Sequence, residues 1–147
     1  MAPSALRRCG SLILPWLFFG ALAAVLYFAL IPNVNHDVFR ILPAPLQRWC
    51  GVHDDFNNFA AFAVLGLLGF LLGSKVRPRV GAAKRGPWTA AVADSRLCLI
   101  ALLALVCALE VAQIWIPGRN SCLRDVATGW AGVLTAWIFY AGLSRRA

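Results

Sequence analysis

Leu97–Asp125 reads LCLIALLALVCALEVAQIWIPGRNSCLRD. Up to Ile116 it is an apolar run holding one carboxylate, Glu110, and one amide, Gln113; Pro117-Gly118 then ends the helix, and Arg119 and Asp125 follow. About 20 predominantly apolar residues cross the hydrocarbon of a bilayer as a helix, and this run has that length. A carboxylate inside such a segment costs roughly 2.5–3.5 kcal/mol on insertion scales, so it faces protein or water and takes a partner. Glu110, Gln113, Arg119 and Asp125 are therefore where function is sought.

The same reading extends outward over the chain. Of its 147 residues 61% are apolar and 14% charged, and the mean hydropathy is +0.72, more apolar surface than one water-soluble core of this size hides. Apolar windows at about 11–31, 56–73, 97–116 and 126–143 predict four membrane-spanning helices, since an uninterrupted apolar run in lipid satisfies its backbone only as helix. The expected fold is all-α: a single integral membrane domain over 1–147, a four-transmembrane-helix bundle.

The net charge of +8 does not point to nucleic acid, because no soluble domain presents a basic face. The cations sort by side instead. Arg7, Arg8, Lys75, Arg77, Arg79, Lys84, Arg85, Arg96, Arg145 and Arg146 share one side of a four-pass chain, and Arg40, Arg48, Arg119 and Arg124 the other. By the positive-inside bias both termini and the Ser74–Ser95 loop are cytoplasmic, that loop resting against anionic lipid. Asp37, Asp54, Asp55 and Asp125 fall outside. A cleaved leader is the rival reading of the N-terminus, but the apolar run continues to Ile31, beyond the usual h-region of about 7–15 residues.

The five cysteines cannot all pair within one chain. Cys9, Cys98 and Cys107 read as small apolar groups, whereas Cys50 and Cys122 both fall in outer connections, where a disulfide between them is possible chemistry.

Three helix ends are expected to meet on the outer side. Asp54 and Asn58, four residues apart, lie within about 40° on one face of the second helix. Glu110 and Gln113 share a face late in the third helix, and Asp125 opens the fourth above Gly129 and Gly132. Gly66, Gly69 and Gly73 give the second helix a ridge suited to close packing. Pro15 is expected in the opening turn of the first span, and segments between Pro32 and His53 in the outer interface.

An Asp followed four residues later by a polar residue and Phe, then Glu-x-x-Gln, Pro-x-Arg-x-Ser, Asp and paired glycines, resembles the VanZ-like family of small membrane proteins. The residues that carry the resemblance are Asp54, Asn58-Phe59, Glu110, Gln113, Pro117, Arg119, Ser121, Asp125, Gly129 and Gly132. The chain departs from the family where Asn58 replaces a usual His and Thr128 a frequent Asn; His53 lies five residues before Asn58 and is no simple replacement. The resemblance implies a multi-pass protein of the bacterial inner membrane and cell envelope, in a family named for a member linked to teicoplanin resistance.

Three readings of the cluster stand together. In one, Glu110, Arg119 and Asp125 form buried pairs that lock helices. In a second, Asp54, Asn58, Glu110, Gln113, Arg119, Ser121 and Asp125 line an outer-leaflet site for a membrane lipid or a lipid-linked envelope precursor with an anionic head group. In the third, Glu110 and Asp125 serve an enzyme as acid and base on a lipid-linked substrate. No cofactor or metal is expected, His36 and His53 lacking metal-ligand spacing. No nucleic-acid partner is expected either, and a homo-oligomer is left open.

Overall fold

The computed structural model describes residues 3–31, 43–76, 95–119 and 121–144, and the backbone alone for 3–12, 46, 47, 50, 51, 75 and 76. The Ser74–Ser95 loop, apart from its two ends, and residues 32–42 lie outside these limits. The described residues form five α-helices: α1 (Pro3–Leu30), α2 (Ala44–Val52), α3 (Asp54–Val76), α4 (Ser95–Gln113) and α5 (Leu123–Ser144). All but α2 are long and apolar enough to cross a membrane, and no strand occurs among the described residues.

Two boundaries differ from the sequence reading. Helix α1 begins at Pro3, so Pro15 lies inside it. There the proline ring removes the amide that would bond the Ser11 carbonyl four residues back. Helix α4 stops at Gln113, short of Ile116, although the apolar run continues. Pro117 has no amide to offer the Gln113 carbonyl, and Ile116 N donates to it instead at 3.1 Å, with Ile114 and Trp115 likewise bonding three residues back. Such i→i−3 bonds tighten and end a helix. Ile116–Arg119 then closes as a β-turn, Arg119 N to Ile116 O 3.2 Å, with Pro117 second and Gly118 third at φ 78°. That is a type II turn, whose third position favours glycine.

Helices α3 and α5 run in the same direction and α1 and α4 in the opposite one, and α3 packs most extensively on α5. Their contact is glycine-lined: a methyl group on Gly132 would run into the backbone of Phe59 and Ala63, and one on Gly66 would meet Ala136 Cβ at 3.1 Å. Small residues permit such backbone approach in lipid, where van der Waals contact replaces the hydrophobic drive. Phe62, Leu65, Phe70, Leu102, Val106, Leu109, Val133 and Ala136 fill the shared core. Trp16, Ile100, Ile138 and Phe139 point outward, as lipid-facing side chains do. Helix α1 is the peripheral member: 6% of its apolar window is buried, against 33% for α3. Phe18, Ala21, Leu22, Val25, Leu26 and Ala29 nonetheless pack against the core, and polar bonds at its C-terminus add to that contact.

Candidate functional site

One end of the bundle gathers the C-termini of α1 and α4 and the N-termini of α3 and α5. In lipid or its interface a helix end exposes amides and carbonyls with no partner of their own. The polar side chains here answer that need, each serving a helix other than its own.

Glu110 is 8% exposed. Its Oε2 accepts the Cys122 amide at 3.2 Å and the Ser121 hydroxyl at 3.5 Å. The Cys122 carbonyl accepts from Asp125 N and Val126 N, so Cys122 sits at the N-cap of α5. Glu110, on α4, thus supplies a carboxylate to the positive end of the next helix. Gln113, 7% exposed, donates Nε2 to Ala29 O at 3.2 Å.

Arg119 completes the closure of α1. Its Nε donates to Ile31 O at 3.3 Å and its Nη2 to Phe28 O. The reason lies in the sequence: residue 32 is proline, which has no amide hydrogen, so Phe28 O lacks the donor that a continuing helix would give. Ile31 N serves Tyr27 O, Gln113 serves Ala29 O and Arg119 serves Phe28 O. A cation at a helix C-terminus also suits the dipole.

Asn58 fastens α3 to the first turn of α5. Its Nδ2 donates to Asp125 O at 2.6 Å and to Thr128 Oγ1 at 3.0 Å, while Thr128 Oγ1 donates to Asp125 O at 3.1 Å. The amide at position 58 acts here as a donor to backbone. Beside it Asp55 pairs with Arg124 across α3 and α5, at the surface. Asp54 is exposed in the first turn of α3. The Asp125 carboxylate, half-buried, lies in the electrostatic field of Asp54, Asp55, Arg119 and Arg124, and has no hydrogen-bond partner among the described residues.

The expected residues therefore do converge, but not as expected. Among the described residues no ion pair joins Glu110, Arg119 and Asp125; the first two are spent on helix ends. Sequence reasoning missed the contribution of α1, whose Phe28, Ala29 and Ile31 carbonyls are three of the acceptors. Pro32 was the available signal. It also missed the Asp55–Arg124 pair. Thr135 bonds Ala131 O in its own helix at 2.7 Å, whereas Trp130 Nε1 reaches Leu103 O of α4 at 3.1 Å. Cys122 is exposed with a free thiol, and the Cys50 side chain lies outside the described residues. His53 stacks on Trp49, centroids 4.6 Å apart, beside α2. Among the described residues no three His, Cys, Asp or Glu side chains group closely enough to hold a metal ion.

Glu110→Gln and Glu110→Ala separate charge from acceptor in the α5 cap. Glutamine keeps an oxygen for Cys122 N but loses the dipole interaction, about 1 kcal/mol. Alanine leaves the amide unsatisfied and costs about 2–3 kcal/mol. Thermal unfolding in detergent should rank them in that order below wild type. Equal melting of all three proteins would refute the cap.

Apolar helices closed at one end by each other's polar side chains define a polytopic helical membrane protein. The site residues coincide with a family signature. A sequence profile described as VanZ/LLP1 matches residues 14–144, which takes in the described core and every candidate site residue. The chain belongs to the VanZ/LLP1 family and is a VanZ-like membrane protein. No curated protein and no solved structure matches it.

Proposed function

We propose that the polar end lies at the outer leaflet of a bacterial inner membrane, with both termini cytoplasmic, and holds a lipid or lipid-linked anionic head group there. Through that head group the protein would alter the cell envelope's susceptibility to teicoplanin, in keeping with its family. The observation that carries this reading is the half-exposed Arg119 guanidinium. It has five N–H donors; α1 takes one from Nε and one from Nη2, and the Nη1 pair has no partner among the described residues. Guanidinium is suited to bidentate contact with a phosphate or carboxylate.

The alternative, an acid–base enzyme on a lipid-linked substrate, draws on Asp125 more than on Glu110, because Glu110 already accepts from Cys122 and Ser121.

Arg119→Lys keeps the charge and removes the planar fork. Phospholipid co-purifying with the protein should fall about tenfold, as for a lost contact of about 1.4 kcal/mol. Expression of the variant at wild-type yield should leave cells with the teicoplanin susceptibility of cells lacking the protein. Wild-type lipid retention and wild-type susceptibility in this variant would defeat the proposal. A reporter fused after Ala147 should be active only in its cytoplasmic form.

A further inference from the structure

The Arg119 guanidinium lies close enough to the Asp125 carboxylate to act on its charge, yet among the described residues the two form no ion pair. Each is pinned by bonds made elsewhere. Arg119 turns Nε and Nη2 to the Ile31 and Phe28 carbonyls of α1. Asp125 is fixed through its backbone: its amide donates to Cys122 O at 2.9 Å, and its carbonyl accepts from Asn58 Nδ2 and Thr128 Oγ1. The Asp125 side chain has also lost its local donor. With Cys122 at the N-cap of α5, Asp125 stands three residues on, where an acidic side chain can turn back to the N-cap amide. Here that amide already donates to Glu110 Oε2 of α4. Arg124, its chain neighbour, serves Asp55. Arg48, exposed on α2 at the same end, makes no ion pair with Asp125 either. A half-buried carboxylate with no hydrogen-bond donor among the described residues is thus held beside a guanidinium with donors to spare.

We propose that Arg119 and Asp125 together seat a zwitterionic lipid head group, one phosphate and one primary ammonium as in phosphatidylethanolamine, the phosphate on the free Nη1 donors of Arg119 and the ammonium on the Asp125 carboxylate. This rests on the head-group reading above and names its ligand class.

The choice follows from matched charge and matched hydrogen bonding. A cation and an anion whose positions are set before a ligand arrives lower the cost of ordering them on binding. A ligand carrying the two charges in reverse order neutralises both at once. Phosphatidylglycerol brings only the anion, and its phosphate would meet Arg119 close to Asp125, on which Asp54 and Asp55 also act. Like charges repel more strongly where water screens them poorly. Phosphatidylcholine brings both charges, but its trimethylammonium has no N–H. A primary ammonium has three donors for a carboxylate that only accepts. The head group that answers both partners therefore carries phosphate and primary ammonium on one short spacer.

The test uses the full chain in mild detergent, stripped of lipid and then offered equimolar phosphatidylethanolamine, phosphatidylglycerol and phosphatidylcholine with identical acyl chains, the bound lipid being read by native mass spectrometry. Wild type should retain phosphatidylethanolamine about tenfold over each of the others, the worth of one further polar contact. Asp125→Asn should bring phosphatidylethanolamine down to or below the level of phosphatidylglycerol. The readout is the ratio of lipids, which a general loss of folded protein does not move. Arg119→Lys should lower all three together. Equal retention of the three lipids by wild type, or a preference for phosphatidylglycerol, overturns the zwitterion and leaves the phosphate reading standing. A wild-type preference that survives in Asp125→Asn overturns the role given to Asp125. Full retention of all three lipids in Arg119→Lys removes both this proposal and the head-group reading beneath it.

Discussion

Gly132→Ala should cost about 3 kcal/mol or more, at the upper end of what overpacking a core exacts. The added Cβ would overlap Phe59 O and come within 3.0 Å of Ala63 N and 3.2 Å of Phe59 C. These are backbone atoms of α3. No rotamer relieves them, so the helices themselves must part along the largest interface of the bundle. Separation would also stretch the Asn58 bonds to Asp125 O and Thr128, which lie just beyond the same contact. Gly129→Ala meets Val106 Cγ1 at 2.9 Å and Phe62 Cδ2 at 3.1 Å, side chains that can shift, so its cost should be smaller. Gly142→Ala meets nothing within 4 Å and should be neutral or gain up to about 1 kcal/mol from helix propensity. Reversible unfolding in bicelles would give the order. Equal stability of Gly132→Ala and Gly142→Ala would show that α3 and α5 are not so closely apposed.

The four spanning helices were legible in the sequence because transfer to lipid depends on the length and hydropathy of each segment, both of which are local properties. The end of α4 was not, because hydropathy continues through Ile114, Trp115 and Ile116 while hydrogen bonding does not. Pro117 withdraws a donor from Gln113 O, and the helix tightens early. The role of Glu110 was half legible. A carboxylate in an apolar helix needs a partner, and an inventory of side chains offers Arg119 as the obvious one. The partner found is a backbone amide at the start of the next helix, and side-chain counting does not register helix ends. The part that α1 plays in the cluster was missed for the same reason. The few buried side chains of that helix gave no hint that two residues of the Glu110–Asp125 stretch close its last turn.

Arg119→Leu should lower stability by about 2–4 kcal/mol, second only to the Gly132 change. Two charge-assisted bonds are lost together, each of the order of 1.5–3 kcal/mol, with a discount because the guanidinium is partly exposed. The carbonyls of Phe28 and Ile31 are left behind at the end of the helix least buried in the bundle. Arg119→Lys should fall between, about 1–2 kcal/mol, since an ammonium keeps the dipole interaction but not the two-pronged reach. The cause can be separated from loss of charge by restoring the missing backbone donor. In the Arg119→Leu background, Pro32→Ala returns an amide four residues after Phe28 and should recover about 1 kcal/mol, the worth of one backbone hydrogen bond. In wild type, where the Phe28 carbonyl is already served, the same change should recover much less. Unfolding free energies of the four proteins form a double-mutant cycle whose coupling term reads the α1 cap directly. A coupling of zero would mean that Arg119 stabilises the bundle by some route other than closing α1. A positive coupling would identify the proline after α1 and the arginine after α4 as one device, in which the residue that ends the first helix creates the acceptor that the later turn was placed to fill.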